Sequence, residues 1–228
     1  MPGDEPAHLD HGRVEGRTST FREQGRTWFE AAPGEPVTVE VQRTVTVTTD
    51  RVGEDGRAQI RVDDGEGASS WVLEPDGRWW LAQDTREDAP LALGHGVPAI
   101  GSFDPPEGSV RVGQDWTVPI RVDATVDRGP ARGTHLVLEG EARWRFEGWG
   151  ELAGTRCPVL VEALSVRGHT DVGDVRLGVA GERASEVCWD PDRGEVYWQQ
   201  AATNLVITLG SEAFRVRTEA YVGRINPR

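Results

Sequence analysis

Lysine is missing from this chain, and all 25 of its basic residues are arginine. Methionine occurs only at position 1. A GC-rich coding sequence accounts for both gaps, so neither carries functional information. Positive charge is scarce as well: 38 acidic residues against 25 arginines leave a net charge of −13. A surface of that sign repels phosphate backbones and anionic headgroups, so no nucleic acid is expected as a partner. Long apolar runs are also missing. No stretch approaches the roughly 18 residues that a membrane-crossing helix requires, so no transmembrane segment is expected.

Cysteine is nearly absent. Two residues, Cys157 and Cys188, are too few for a disulfide framework and lack metal-ligand spacing. Each falls in an expected strand of the second half. They could be bonded across or between sheets, or remain two small buried thiols. Catalytic signatures are missing too. There is no Gly-x-Ser-x-Gly elbow, no phosphate loop and no cysteine with a histidine nearby. The expectation is a non-enzyme with no cofactor.

Five histidines offer little more. His8 and His11 lie in an N-terminal stretch read as a loose tail, His95 sits between glycines, His135 is on a solvated strand face and His169 is in a polar turn. None has a second ligand at motif spacing. The acidic turns, Asp190-x-Asp192-x-Gly194-Glu195 and Asp63-Asp64-Gly65-Glu66, hold the first positions of a calcium loop. Neither completes the twelve-residue pattern, so both read as hairpin turns with no metal.

What the chain does have is strict alternation. Val37, Val39, Val41, Val45 and Val47 share one face of a long segment, with Thr38, Glu40, Gln42, Thr44 and Thr46 on the other. Trp116, Val118, Ile120 and Val122 repeat the pattern, as do Leu136, Leu138, Gly140, Ala142, Trp144 and Phe146. Phe214, Val216, Thr218, Ala220 and Val222 close the chain in the same way. One apolar and one polar face is the mark of antiparallel sheet. Shorter strands are expected near 57–62, 69–74, 78–83, 155–166, 174–180, 184–189, 195–200 and 203–209. The best helical candidate is 20–31, where Phe21, Trp28 and Phe29 could share a face, interrupted by Gly25.

The expected fold is all-β: long antiparallel strands in curved sheet, as two related half-barrel-like halves or a large sandwich. Its parts are a loose tail over 1–29, a first half over 30–90, a linker over 91–112 and a second half over 113–228. A repeated phrase supports two halves. Val72-Leu73-Glu74-Pro75-Asp76-Gly77-Arg78-Trp79-Trp80 recurs loosely over Val187–Trp198. Each copy reads as a strand end, a turn and an aromatic return strand. Gly77 and Gly194 are expected at positive φ, with Asp76 and Asp192 bonding backbone amides, and a bulge is expected in the longer second copy.

Several motifs carry a family resemblance. They are the strand start Gly113-Gln114-Asp115-Trp116, the Leu136-x-Leu138-x-Gly140 strand, Gly154-Thr155-Arg156-Cys157, and Asp190-Pro191-Asp192-Arg193-Gly194. Over about residues 35–210 the chain resembles uncharacterised bacterial envelope proteins, similar in outline to the half-barrels of lipoprotein carriers. The resemblance implies export to the periplasm or cell surface and no catalytic residues. The acidic start Met1-Pro2-Gly3-Asp4-Glu5-Pro6 is not a secretory signal, so export would require a signal already removed; a cytoplasmic protein is the alternative.

Nine tryptophans are many for 228 residues, and aromatic faces suit apolar ligands and protein partners. The leading functional expectation is an apolar or amphipathic ligand, such as a lipid or acyl chain, on a concave face carrying Trp116, Val118, Ile120, Leu136, Leu138, Trp144 and Phe146. The alternative is a structural or interaction module, a surface or filament subunit that pairs through strand edges.

Overall fold

Valine and threonine dominate the long alternating segments, and their branched side chains favour the extended backbone. A computed structural model describes residues 5–9, 14–31, 35–65, 67–74, 79–84, 106, 108–125, 134–152 and 154–225. Thirteen strands account for most of these, and no helix occurs among the described residues.

Two strands are very short, β1 (Ala7–His8) and β7 (Ser109–Val110), and they pair with each other. The rest form one antiparallel sheet. They are β2 (Thr18–Ala31), β3 (Val37–Val52), β4 (Ala58–Asp63), β5 (Ala68–Leu73), β6 (Trp79–Asp84), β8 (Asp115–Thr125), β9 (His135–Leu152), β10 (Thr155–Val172), β11 (Val175–Asp190), β12 (Glu195–Leu209) and β13 (Glu212–Arg224). Their order across the sheet is β6-β5-β4-β3-β2-β13-β12-β11-β10-β9-β8. Each strand lies beside its sequence neighbour except at one seam, where β2 pairs with β13. That seam joins the first and second halves into a continuous sheet.

The sheet curls into a half-barrel. Its two end strands, β6 and β8, approach within 8 Å between Cα atoms although they are not ladder partners. Register shifts at Thr49/Arg51, Ser70/Trp71, Val159/Leu160 and Cys188/Trp189 add the local twist that curling needs. At about 3.3 Å per residue the 18-residue β9 and β10 are each roughly 60 Å long.

The inner face holds the core in two clusters. One spans β8–β12 and includes Trp144, Phe146, Leu160, Val187 and Trp189. The other spans β2–β5 and β13 and includes Phe21, Val45, Ile60, Trp71 and Val222. Full burial of one such side chain is worth about 1.5–3 kcal/mol. Ala7, Leu9 and Val110, on and beside the small β1–β7 sheet, are buried in the first cluster and close that end of the half-barrel. The opposite end is formed by the turns at 173–174 and 210–211 and by the paired strand ends Phe29 and Val37.

Several expectations are corrected here. Of the stretch 1–29 expected as a loose tail, residues 18–29 belong to β2, mid-sheet between β3 and β13, and Leu9 is core. The helical candidate at 20–31 is that same strand. Gly25, which interrupted the helical pattern, faces Ala220 where an added Cβ would come 2.9 Å from the Glu219 carbonyl oxygen. The linker over 91–112 contributes β7, and most of its remainder lies outside the described residues. Strands expected separately at 174–180 and 184–189 are one strand, β11, and those at 195–200 and 203–209 are β12.

Candidate functional site

The seven residues singled out from alternation do share a face of β8 and β9. Trp116 stands opposite Trp144 in register, with the two rings stacked 6.4 Å apart at 14°. However, Val118, Ile120, Leu136, Leu138, Trp144 and Phe146 are all core, packed with Ala7, Leu9 and Val110, and Trp116 packs against them. These six side chains are between 0% and 4% exposed.

The same inner face changes character along the sheet. Beyond the core it carries a belt of buried polar groups. On β2 and β3, Arg43 donates from Nε to Glu23 Oε2 at 2.6 Å and from Nη1 to Asp64 Oδ2 at 2.8 Å. On β10 and β11, Arg183 grips Glu162 with two hydrogen bonds, and Ser185 Oγ donates to Glu162 Oε2 at 2.7 Å. Between these clusters Thr27 and Thr218 share a hydroxyl hydrogen bond of 3.1 Å. Desolvating such ion pairs costs several kcal/mol per charge, and apolar residues of similar volume would often stabilise the fold as well or better. Their presence on a core face therefore calls for another reason.

Toward the open end the face becomes apolar and uncovered. Along β2, Thr27 is buried but Phe29 is 39% exposed. Along β3, Val39 and Val37 are 43% and 61% exposed. They face the same side as the core residues Phe21, Val45 and Val47, as the unbroken β2–β3 register requires. Val216 and Phe214 of β13, half-buried, continue this surface beside Phe29. On β2, β3 and β13 the inner face thus ends in a half-exposed apolar stretch beyond the polar groups, while on β10–β12 the corresponding Val166, Val179 and Leu205 are buried.

Alternation did carry a signal for the belt. Glu23, Arg43, Glu162 and Arg183 each occupy a position whose neighbours two residues away are apolar or small, and charge there means a partner from another strand. The remaining candidates sort as follows. Cys157 and Cys188 are joined in a disulfide with Cα atoms 5.6 Å apart, buried beside Tyr197 on the outer side of β10 and β11. Cys188 pairs with Val159, so the bond runs diagonally across the ladder.

In the 190–194 turn it is Asp190, and not Asp192, whose carboxylate caps the loop, accepting from the Asp192 and Arg193 amides at 3.1 Å. Its other oxygen takes Arg224 Nη2 at 2.6 Å, and Glu195 takes Arg224 Nη1 at 2.7 Å. These acids are therefore committed to arginines. Among the described residues no group of three His, Cys, Asp or Glu is placed to hold a metal. Gly194 adopts φ 62°, and the expected bulge is found at Cys188/Trp189. The strands flanking the first hairpin also pair, while its turn, with Asp76 and Gly77, lies outside the described residues. Trp189 and Trp198 end on opposite sides of the sheet, one in the main core and one beside the disulfide.

His8 and His135 are exposed, and His169 lies in β10 and not in a turn. His11 and His95 are outside the described residues. Trp149 donates from Nε1 to the Glu5 carbonyl at 2.9 Å, with Arg156 stacked over its ring. Glu139 and Glu141 form the expected solvated ladder, paired with Arg121 at 2.8 Å and Arg143 at 2.6 Å.

No protein-family model matches this sequence, nor does any curated protein. Among solved structures the chain is similar to a hypothetical lipoprotein, YmcC, of Escherichia coli (K12), at 13% identity and a TM-score of 0.33, over 90% of this chain and 85% of that one. It is also similar to OmpT, an outer membrane protein of Vibrio cholerae. The loop L8 deletion mutant gives 9% identity and a TM-score of 0.21, and the in-vitro folded trimer form gives 7% and 0.19. Each covers 93% of this chain and 100% of the neighbour. None of these likenesses bears on function.

Proposed function

We propose that this protein is a non-catalytic, exported carrier that holds an apolar or amphipathic molecule, such as a lipid or acyl chain, against the inner face of its half-barrel. The observation that carries this is the mouth: Phe29, Val37 and Val39 stand exposed on the face that elsewhere forms the core. Covering each of these half-exposed side chains with a ligand contributes on the order of 1 kcal/mol, from the burial value of a whole side chain. The binding surface is thus on β2, β3 and β13, and not on the β8–β9 stretch that alternation pointed to.

The disulfide supports export, because such bonds persist in oxidising compartments. Assembly by strand addition is the weaker reading. The end strands β6 and β8 curl toward each other, which leaves less open edge for a partner. Native mass spectrometry of freshly purified protein tests the carrier reading. One retained amphiphile per chain is expected, and protein that stays empty after incubation with a series of lipids contradicts it.

A further inference from the structure

The half-exposed apolar stretch has two ends, and a polar head would meet different surroundings at each. Inward, the stretch stops at packed and satisfied groups. Thr27 and Thr218 share their hydrogen bond, Arg183 is held by Glu162, and Gly25 sits against the backbone of Glu219 and Ala220. That side is closed to a head group. Outward, the same face reaches solvent at acids. On β13 it runs Thr218, Val216, Phe214, Glu212, from buried through half-buried to exposed. On β3 it runs Val39 and then Val37, and alternation puts the exposed Glu35 next in line. Outward of Thr27 and Thr218, no arginine takes an inner-face position on β2, β3, β12 or β13 among the described residues. Deeper on this face Glu23 and Glu162 each have an arginine partner, whereas Glu35 and Glu212 have none among the described residues.

We infer that the ligand is an amphiphile with a cationic, amine-bearing head, seated with its tail inward over Val216 and Phe29 and its head outward at Glu35 and Glu212. This rests on the carrier reading and names its ligand class. With the inner end closed, only the outer end lets a charged head keep its water, so the large cost of burying a charge does not arise. There the two carboxylates attract an ammonium and repel a carboxylate or phosphate. Each such exposed pairing is worth only about 1.5-fold to fivefold in affinity. Two of them, reversed in sign for an anionic head, separate cation from anion by about tenfold. The net charge of −13 acts in the same direction at longer range.

Isothermal titration at low salt with three amphiphiles of the same tail reads the head: dodecylammonium, monolaurin and laurate. Dodecylammonium should bind the wild type about tenfold tighter than laurate, with monolaurin between them. Salt at about 0.3 M should shrink that spread to about threefold or less. Glu35→Gln combined with Glu212→Gln should shrink it likewise and leave monolaurin unchanged. Glu30→Gln combined with Asp171→Asn is the control. It removes two exposed acids from the outer face at the same end of the sheet and should keep the spread. Circular dichroism establishes that each variant is folded. Laurate binding as tightly as dodecylammonium, a spread that neither salt nor the Glu35 and Glu212 changes reduce, or an equal loss in the control overturns the cationic-head inference and leaves the carrier reading standing. Failure of all three to bind the folded wild type overturns the carrier reading itself.

Discussion

Arg183 holds Glu162 in a two-pronged grip, Nε to Oε2 at 2.9 Å and Nη2 to Oε1 at 2.6 Å, on the face that elsewhere forms the core. The Glu162 side chain is fully buried, with Arg183 as its ion-pair partner and the Ser185 hydroxyl donating to it. Arg183→Met should therefore cost about 3–5 kcal/mol, because a buried carboxylate loses its countercharge. The double change Glu162→Leu with Arg183→Met should recover most of that loss, since an apolar pair avoids the desolvation cost. Urea unfolding of both proteins checks the pair.

Leu9 lies in the stretch that composition marks as a tail, yet it is 1% exposed and packs with Trp144 and Phe146. Leu9→Ala should destabilise the protein by about 2–5 kcal/mol, the range for a large core residue cut to alanine. A truly loose tail would show no change in the unfolding midpoint.

Two glycines should fail for different reasons. A Cβ at Gly140 would overlap the backbone carbonyl of Ser165 on the neighbouring strand, so Gly140→Ala must push β9 from β10. A loss of more than about 3 kcal/mol is expected, at the upper end of overpacking costs. Gly194 instead needs its positive φ of 62° in the β11–β12 turn. Gly194→Val should cost about 1–3 kcal/mol through backbone strain. Thermal melts of the two variants should rank them in that order.

The Cys157–Cys188 bond closes a loop with a sequence separation of 31. Chain-entropy estimates for a loop of that length give about 3–4 kcal/mol of stabilisation. Reduction, or the change of both cysteines to serine, should lower the unfolding free energy by that amount. Intact-mass measurement without reductant should find the native protein two hydrogens lighter than its reduced form. Two free thiols after oxidising purification would also remove the main support for export.

Alternation found β3, β8, β9 and β13 because each has one continuous apolar face and one continuous polar face. It broke β11 in two because Gly181, Glu182 and Arg183 interrupt the pattern, although Arg183 is on the inner face and paired. It missed β2 for a related reason: Glu23 and Gly25 occupy inner positions that a two-residue period expects to be apolar. Glu23 is tolerated by virtue of Arg43 from β3, and Gly25 by virtue of the close approach of β13. Such compensation comes from other strands, so a local pattern cannot contain it. The β8–β9 face that alternation singled out is buried, and the surface proposed above for a ligand lies elsewhere on the sheet. Apolar faces on β8–β9 and on β2–β3 look alike in sequence, and only the β1–β7 plug decides which is closed.

The central claim is that an apolar molecule occupies the mouth formed by Phe29, Val37 and Val39. Titration of a fluorescent acyl probe into the wild type and into Val39→Asp tests it most directly. Val39 is exposed, so the substitution should leave the melting temperature nearly unchanged while placing a charge on the proposed path. The account predicts saturable binding of one probe per chain by the wild type and a loss of affinity of about tenfold or more in the variant, given the cost of desolvating a carboxylate. Equal binding by both proteins, or no saturable binding by the wild type, would contradict it.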